Sequence, residues 1–245
     1  MNQQNALQEY PVWDRTTRWF HWINVLTVLA LSAIGLVILN SKALGITDDG
    51  KVLLKTWHVY IGYVFALNLG WRLIWGFIGG RYSRWSAILP VGKKFKHQRQ
   101  AFFQGLKTGN AAGFKGHNPL GRMMVTALLV LLTVQAVTGL VLAGTDIYKP
   151  PFGQQFKTWV AESPETMDLV KPYSDVGVDK AAYKEMRDFR SPFKDIHEIN
   201  FFLLSFLIVL HIAGVVFAEV RERNGLISAM FSGRKVFSSR PLDDE

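Results

Sequence analysis

Four histidines, His21, His58, His197 and His211, lie in or beside strongly apolar stretches of this chain. The separation of His197 from His211 along the sequence corresponds to almost four turns of an α-helix. Both side chains therefore project from nearly the same face, about 21 Å apart along the axis. Because the hydrocarbon core of a bilayer is about 30 Å thick, one of the two lies toward each membrane surface. Imidazoles at two depths, each with a partner on another helix, predict two bis-histidine haems stacked across a bilayer.

The helices that position these histidines are predicted from four apolar segments, at about residues 19–39, 57–79, 123–143 and 199–218. Each segment is long enough to cross a membrane as a helix. The first is too long for the apolar core of a cleaved signal peptide. The sequence therefore predicts an all-α membrane protein built as a four-transmembrane-helix bundle. A globular protein with four buried helices is the alternative.

The composition excludes several other kinds of redox or binding site. The 245 residues include no cysteine, which excludes disulfides, thiolate-ligated iron–sulfur clusters and covalently attached c-type haem. A formal net charge of +9 would suggest a nucleic acid partner if the protein were soluble. Membrane topology explains most of that charge here, and no nucleic acid partner is expected.

Charged residues in the connections orient the predicted bundle. Residues 81–119 contain many basic residues and no acidic one, whereas residues 144–198 carry both signs. By the positive-inside rule the 81–119 loop is cytoplasmic. Both termini are then cytoplasmic, and the 40–56 connection and the 144–198 loop face the periplasm. We predict one multi-pass domain, residues 1–235, in the lipid of the bacterial inner membrane, followed by a C-terminal tail, residues 236–245.

Membrane depth pairs the histidines. In this topology His21 and His211 lie near the cytoplasmic face, and His58 and His197 lie near the outer face. Ionisable residues at membrane depth are costly and usually functional. Each pair is therefore predicted to ligate one haem iron. The alternative is that these histidines are hydrogen-bonded interior residues.

Small and basic residues at haem depth agree with this prediction. Gly35 follows His21 by the same number of residues as His211 follows His197. A glycine there lets a flat macrocycle approach the helix backbone. Ordinary small-residue helix packing is the alternative. Arg72 follows His58 at that separation too, where its guanidinium can pair with a haem propionate or reach toward the interface as a helix-end residue. Four further glycines can act as Gly35 does: Gly62, Gly70, Gly139 and Gly214.

Residues 116–119, GHNP, precede the third helix at the predicted cytoplasmic edge. His117 and Asn118 can hydrogen-bond a quinone carbonyl, and His117 can move the coupled proton. The alternative is a helix-entry turn in which Asn118 caps the helix and Pro119 opens it. His97 lies among lysines and is expected to be solvated.

Four runs of the sequence resemble the bacterial cytochrome b561 superfamily: RWFHWIN, WHVYIGYVFALNLGWRLIWGFIGGRYSRW, GHNPLG and DIHEINFFLLSFLIVLHIAG. Within it the chain is most similar to the b-type cytochrome subunit of membrane-bound nickel–iron hydrogenases, over residues 12–235. The resemblance implies a four-helix bundle that holds two non-covalent b haems, and it implies electron exchange with membrane quinone. It assigns the haem ligands to four histidines: His21, His58, His197 and His211. The short 40–56 connection departs from typical hydrogenase subunits, at a surface where the partner is expected.

The function implied by the resemblance is electron relay between a periplasmic oxidoreductase and the quinone pool. A hydrogenase small subunit is the expected partner, and the 144–198 loop, with Tyr148, Phe152 and Phe156, is the expected docking surface. Two axial imidazoles saturate haem iron, so no position remains for oxygen or substrate. Two alternatives stay open. One is a stand-alone cytochrome b561 that passes electrons from a soluble reductant or small periplasmic cytochrome to quinone; the other is a haem-free anchor or transporter.

Overall fold

Four long helices dominate the fold of this chain. The computed structural model describes residues 7–108, 113–238 and 240–244. In chain order the elements are β1 Gln8–Pro11, α1 Arg15–Leu39, α2 Asp48–Ile78, α3 Trp85–Ile88, α4 Gly92–Thr108, α5 Pro119–Ile147, α6 Gly153–Val160, a 3₁₀ helix Pro164–Leu169, α7 Lys180–Glu222, α8 Ala229–Ser232 and β2 Arg234–Phe237. Helices α1, α2, α5 and α7 are each long and apolar enough to cross a membrane. The prediction of four helices that can each span a membrane is confirmed.

All four helices are longer than their apolar segments predict, and the extension is greatest at the N-terminal ends of α7 and α2. Helix α7 begins at Lys180 because Asp179 caps it, and the Asp179 carboxylate accepts the backbone N–H of Ala181 at 2.8 Å. Helix α2 begins at Asp48, and acidic residues stand in its first turn, where negative charge is favourable near the helix dipole. Hydropathy detects only the apolar part of each helix, so these polar turns were assigned to connections.

The chain folds as two compact units. The first unit comprises Met1–Trp22, Gly70–Val130 and Leu204–Glu245, and the second comprises Ile23–Leu69 and Leu131–Leu203. His21 and His211 therefore belong to the first unit, and His58 and His197 belong to the second. Each histidine pair is described below within its own unit.

In the first unit, helix α4 buries one of its faces. Strand β1 pairs with β2 in an antiparallel two-stranded sheet. The buried face of α4 includes Phe95 and Phe102. Arg122 at the start of α5 donates to the backbone carbonyl of Ser86 at 3.2 Å and also to that of Leu89. These bonds fasten the connection between α2 and α4 to the first turns of α5.

The C-terminal residues bind the loop that leads into α5. The Asp243 carboxylate accepts the backbone N–H groups of Lys115 at 2.6 Å and Gly116 at 2.8 Å. The Lys115 ammonium group also pairs with Asp244 at 2.6 Å. The tail therefore constrains the start of the GHNP loop.

In the second unit, the region between α5 and α7 is folded around its own small core, whose buried members are Val160, Val170, Val178 and Met186. Asp146, near the end of α5, ties this region to two helices. Its carboxylate pairs with Lys55 on α2 and, at 2.5 Å, with Arg190 on α7. The interior of the predicted 144–198 loop is thus ordered by apolar packing and by a charged network.

Candidate functional site

His58 on α2 and His197 on α7 lie next to each other in the second unit. Their ring centroids are 6.5 Å apart, with the ring planes at 70°. Two imidazoles that share one metal through nitrogen bonds of about 2 Å have centroids roughly 6 Å apart. The observed spacing therefore fits a shared metal. Two imidazoles alone are too few for a zinc-type site, but they suit an iron whose remaining ligands come from a macrocycle.

Two glycines lie directly against these rings. A methyl group on Gly35 would lie 3.4 Å from the Cε1 atom of His58, and one on Gly139 would lie 3.2 Å from the Cε1 atom of His197. Each imidazole thus lies against a helix backbone at a glycine, and a methyl group would press on the ring at Gly139 but would only touch it at Gly35. A methyl group would meet no described atom within 4 Å at the other three predicted glycines: Gly62, Gly70 and Gly214.

Both ring nitrogens of His197 have polar partners within the apolar helices. Nδ1 lies 2.8 Å from the Thr138 hydroxyl, and Nε2 lies 3.0 Å from the side-chain nitrogen of Gln135. Asn200 donates to the other end of the Gln135 amide at 2.6 Å. The sequence analysis missed these three residues. The sequence does contain a signal for them: Gln135 and Thr138 lie three residues apart in an otherwise apolar run, and Asn200 lies three residues after His197.

In the first unit, His21 on α1 and His211 on α7 lie close enough to interact electrostatically. The His21 ring packs edge-on against Trp22, with centroids 5.2 Å apart. The Nδ1 atoms of His21 and His58 are buried, and neither has a hydrogen-bond partner within the described part of the chain. A buried polar atom without a partner calls for an explanation such as a bound group. One histidine of each predicted pair, His21 in the first unit and His58 in the second, thus has a buried nitrogen available to a bound group.

Arg72 is a buried cation in the first unit, with only 4% of its surface exposed. Its Nη2 atom donates to the Ser83 carbonyl at 3.1 Å, and the guanidinium lies 5.8 Å from the rings of both Phe20 and Trp85. Its Nη1 atom is buried and has no hydrogen-bond partner among the described residues. That donor is suited to an anionic group, as expected for a haem propionate.

His117 and Asn118 have different environments. Asn118 caps α5, because its Oδ1 accepts the Gly121 N–H at 2.8 Å. The His117 ring packs against Trp13, with centroids 4.7 Å apart. Its Nδ1 is buried and finds no partner in the described ranges. Burial lowers the pKa of His117 to about 3, and the positive charge of Lys235 lowers it in the same direction. His117 is therefore neutral at pH 7 and offers a hydrogen bond rather than a stored proton.

Comparison with known proteins adds an independent observation. A family model described as "Prokaryotic cytochrome b561" matches residues 12–233. Proteins named "Probable Ni/Fe-hydrogenase B-type cytochrome subunit" are similar along most of the chain. The one from Rhizobium leguminosarum bv. viciae is 23% identical, over 95% of this chain and 91% of its own length. The one from Azotobacter vinelandii is also 23% identical, over 92% of this chain and 88% of its own length. The Escherichia coli K12 "Probable Ni/Fe-hydrogenase 1 B-type cytochrome subunit" is 28% identical, over 56% of this chain and 61% of its own length.

Proposed function

The chain belongs to the prokaryotic cytochrome b561 family, and we propose that this electron-transfer cytochrome relays electrons between a periplasmic hydrogenase and the membrane quinone pool through two b haems. One haem is held by His58 and His197, and the other by His21 and His211. The observation that supports the proposal most directly is the 6.5 Å separation of the His58 and His197 rings in the second unit, together with the presence of His21 and His211 in the first. The names of the relatives support the hydrogenase as partner.

The residues of each pair hold and shield a redox group. A b haem held by the two imidazoles of a pair would supply a one-electron iron couple and no site for oxygen or substrate. Gly35 and Gly139 let the His58 and His197 rings lie against the helix backbones. Arg72 offers the buried Nη1 donor to a propionate of the haem in the first unit. These residues bind and orient a cofactor that transfers electrons rather than one that activates oxygen.

Electrons enter at the second unit and leave at the first. The entry surface is the region around α6, where Phe156 and Trp159 stack at 6.1 Å and Phe189 packs on both. Trp159 and Phe189 remain about two-fifths exposed, so apolar area is available to a partner subunit. At the exit, His117 hydrogen-bonds a quinone carbonyl through its buried Nδ1. Asn118 contributes by capping α5 and so holding the GHNP loop in place.

Haem content tests the pairing. Purified protein is expected to contain two non-covalent b haems per chain. Replacing His211 with alanine should remove the haem of the first unit and spare that of the second, and replacing His58 should do the reverse. A His97→Ala variant, altered on α4 outside both pairs, is the matched control and should keep both haems. Loss of the same haem from the His21 and His58 variants would falsify the pairing.

Orientation is tested by cysteine labelling, because the chain contains no native cysteine. We propose that the 81–119 connection is cytoplasmic in the bacterial inner membrane and that the region between α5 and α7 is periplasmic. Gln104 and Asp175 are both exposed. In intact cells, a membrane-impermeant thiol reagent should label an Asp175→Cys variant and not a Gln104→Cys variant. The reverse pattern would move the quinone site to the outer face.

The hydrogenase partner is tested by co-purification from native membranes in mild detergent. A hydrogenase small subunit is expected to accompany the chain. Hydrogen should then reduce the bound haems in the isolated complex. A chain that purifies without a large oxidoreductase, yet accepts electrons from a soluble reductant, would instead be a stand-alone cytochrome b561.

A further inference from the structure

A chain of hydrogen bonds in the second unit runs from one backbone carbonyl of α5 to another and passes through His197. From it we infer that Asn200, Gln135 and Thr138 are positioning residues that fix the tautomer of His197, so that Nδ1 carries the proton and Nε2 presents its lone pair to iron. The inference rests on the proposed function of His197 as a haem ligand. It assigns to three polar residues of the membrane helices a role in preparing that ligand.

The first step is the orientation of the Asn200 amide. Its NH₂ group donates to the Leu131 carbonyl at 3.0 Å and to the Gln135 side-chain oxygen at 2.6 Å. A backbone carbonyl can only accept hydrogen bonds, so the NH₂ group of Asn200 must face it. Turning the amide over would set oxygen against oxygen. Since Asn200 is only 5% exposed, water cannot easily relieve that contact.

The second step is the orientation of the Gln135 amide. Because Asn200 presents a donor, Gln135 must present its oxygen there and its NH₂ group at the other end. That NH₂ group lies 3.0 Å from Nε2 of His197. An amide NH₂ group has no lone pair to offer, so Nε2 must be the acceptor and carries no proton. A neutral imidazole has one proton, which is then on Nδ1.

The third step checks the assignment from the opposite side of the ring. The Thr138 hydroxyl has one proton, and it donates that proton to the Val134 carbonyl at 2.8 Å. The hydroxyl oxygen is 2.8 Å from Nδ1 of His197 and is free to accept the Nδ1 proton. The Thr138 end of the chain is therefore compatible with the tautomer that the Gln135 end requires. Thr138, which is 5% exposed, holds the ring by a hydrogen bond of the kind that orients metal-ligating histidines.

Thr138 and Gln135 should then have different effects on the haem. The Thr138 hydroxyl supports the ligand, because an accepted Nδ1–H bond makes the imidazole more electron-rich and fixes its rotation. The Gln135 NH₂ group points at the same lone pair that iron would take, so it must turn to another acceptor when Nε2 ligates iron. Gln135 thus sets the tautomer before iron binds, and Thr138 holds it afterwards, so removing the Thr138 hydroxyl should weaken the haem-loaded site.

The test compares Thr138→Val, which keeps the shape and lacks the hydroxyl, with Thr138→Ser, which keeps the hydroxyl. Both are purified as the full haem-loaded chain. In Thr138→Val, we expect the haem of the second unit to bind about 10- to 100-fold more weakly. Its midpoint potential should rise, and its low-spin ferric electron paramagnetic resonance signal should change. Thr138→Ser should resemble the unaltered protein in all three measurements.

Each outcome decides between the inference and the proposed function. If the unaltered protein binds no haem at His197, the proposed function fails. If that haem is present and Thr138→Val leaves its affinity, potential and resonance signal unchanged, the inference fails while the proposed function stands. Loss of the haem in both Thr138→Val and Thr138→Ser would also overturn the inference, because the serine variant keeps the hydroxyl.

Discussion

The Asp14 side chain accepts hydrogen bonds from three parts of the first unit. Its replacement tests how much these bonds contribute to the stability of that unit. One carboxylate oxygen accepts the Thr17 backbone N–H at 2.7 Å, which caps α1. The other accepts the Ser83 hydroxyl at 2.7 Å and the Trp75 indole N–H at 3.2 Å. Asp14→Ala therefore removes a helix cap and leaves two donors without their acceptor.

The expected cost follows from these bonds. Loss of an N-cap costs about 1 kcal/mol, and leaving a buried donor unsatisfied costs about 1–3 kcal/mol. Ser83 is only 1% exposed, but its hydroxyl also lies 2.7 Å from the Thr17 hydroxyl, which can accept its proton. The penalty for a lost acceptor therefore falls mainly on the part-buried Trp75 indole, and we expect Asp14→Ala to lower the free energy of unfolding by about 2 kcal/mol. Asp14→Asn, which keeps one acceptor oxygen, should lose roughly half of that.

The measurement is a reversible detergent-denaturation titration of the haem-loaded protein, followed by tryptophan fluorescence. Burial raises the pKa of Asp14, but the hydrogen bonds from Thr17, Ser83 and Trp75 outweigh burial and hold it below its ordinary 3.8. The stabilisation is thus fully present above pH 3.8 and is lost as pH falls through the lower folded value. The difference between Asp14→Asn and the unaltered protein should be constant from pH 7 to about pH 5. An Asp14→Ala variant within about 0.5 kcal/mol of the unaltered protein would refute this account.

Three further changes should have measurable effects. Burial lowers the pKa of Lys235 to about 8 from 10.5, so between these pH values the unfolded state binds more protons than the folded state. The free energy of unfolding should therefore rise with pH across this window, and it should rise less in Lys235→Met. Asp146→Asn weakens the ion pairs with Lys55 and Arg190. It should lower the free energy of unfolding by about 2 kcal/mol, a value between those of exposed and buried ion pairs. No change in the same titration would mean that the network is dispensable. Gly139→Ala places a methyl group 3.2 Å from His197 and should lower the haem content of the second unit alone; unchanged content would show that the ring can move aside.

The sequence predicts the membrane helices well because hydropathy reports them directly. It cannot predict where the helices end, because the polar turns at Lys180 and Asp48 depend on caps and dipoles outside the apolar segments. The binding of Asp243 to the GHNP loop is a contact between distant parts of the chain. No local pattern encodes such a contact, so the sequence predicts the tail only as an appendage.

The histidine pairs illustrate what spacing does and does not reveal. The separation of His197 from His211 along the chain is enough to assign them to different depths of one helix. It says nothing of which ring nitrogen carries the proton. That choice depends on Asn200, Gln135 and Thr138, whose hydrogen bonds cross between α5 and α7. Polar residues at helical spacing from a membrane histidine are the signal that would have revealed them.

The two histidine pairs have different electrostatic surroundings, and this difference bears on the direction of electron flow. The buried Arg72 guanidinium lies 5.8 Å from the ring of Phe20, the residue before His21, so it lies on the His21 side of the first unit. A buried positive charge favours the reduced iron, which has one positive charge fewer. At the other pair, the bond from His197 to Thr138 makes the ligand more electron-rich and favours the oxidised iron.

Under the proposed function, both effects would favour electron transfer from the haem of the second unit to the haem of the first, which is the proposed direction from hydrogenase to quinone. Arg72→Met keeps an apolar stem between the rings of Phe20 and Trp85 and removes the charge. We expect it to lower the midpoint potential of the first-unit haem and to leave the second unchanged in a spectroscopic redox titration. If both potentials kept their values, Arg72 would be a packing residue, and the difference in potential would need another source.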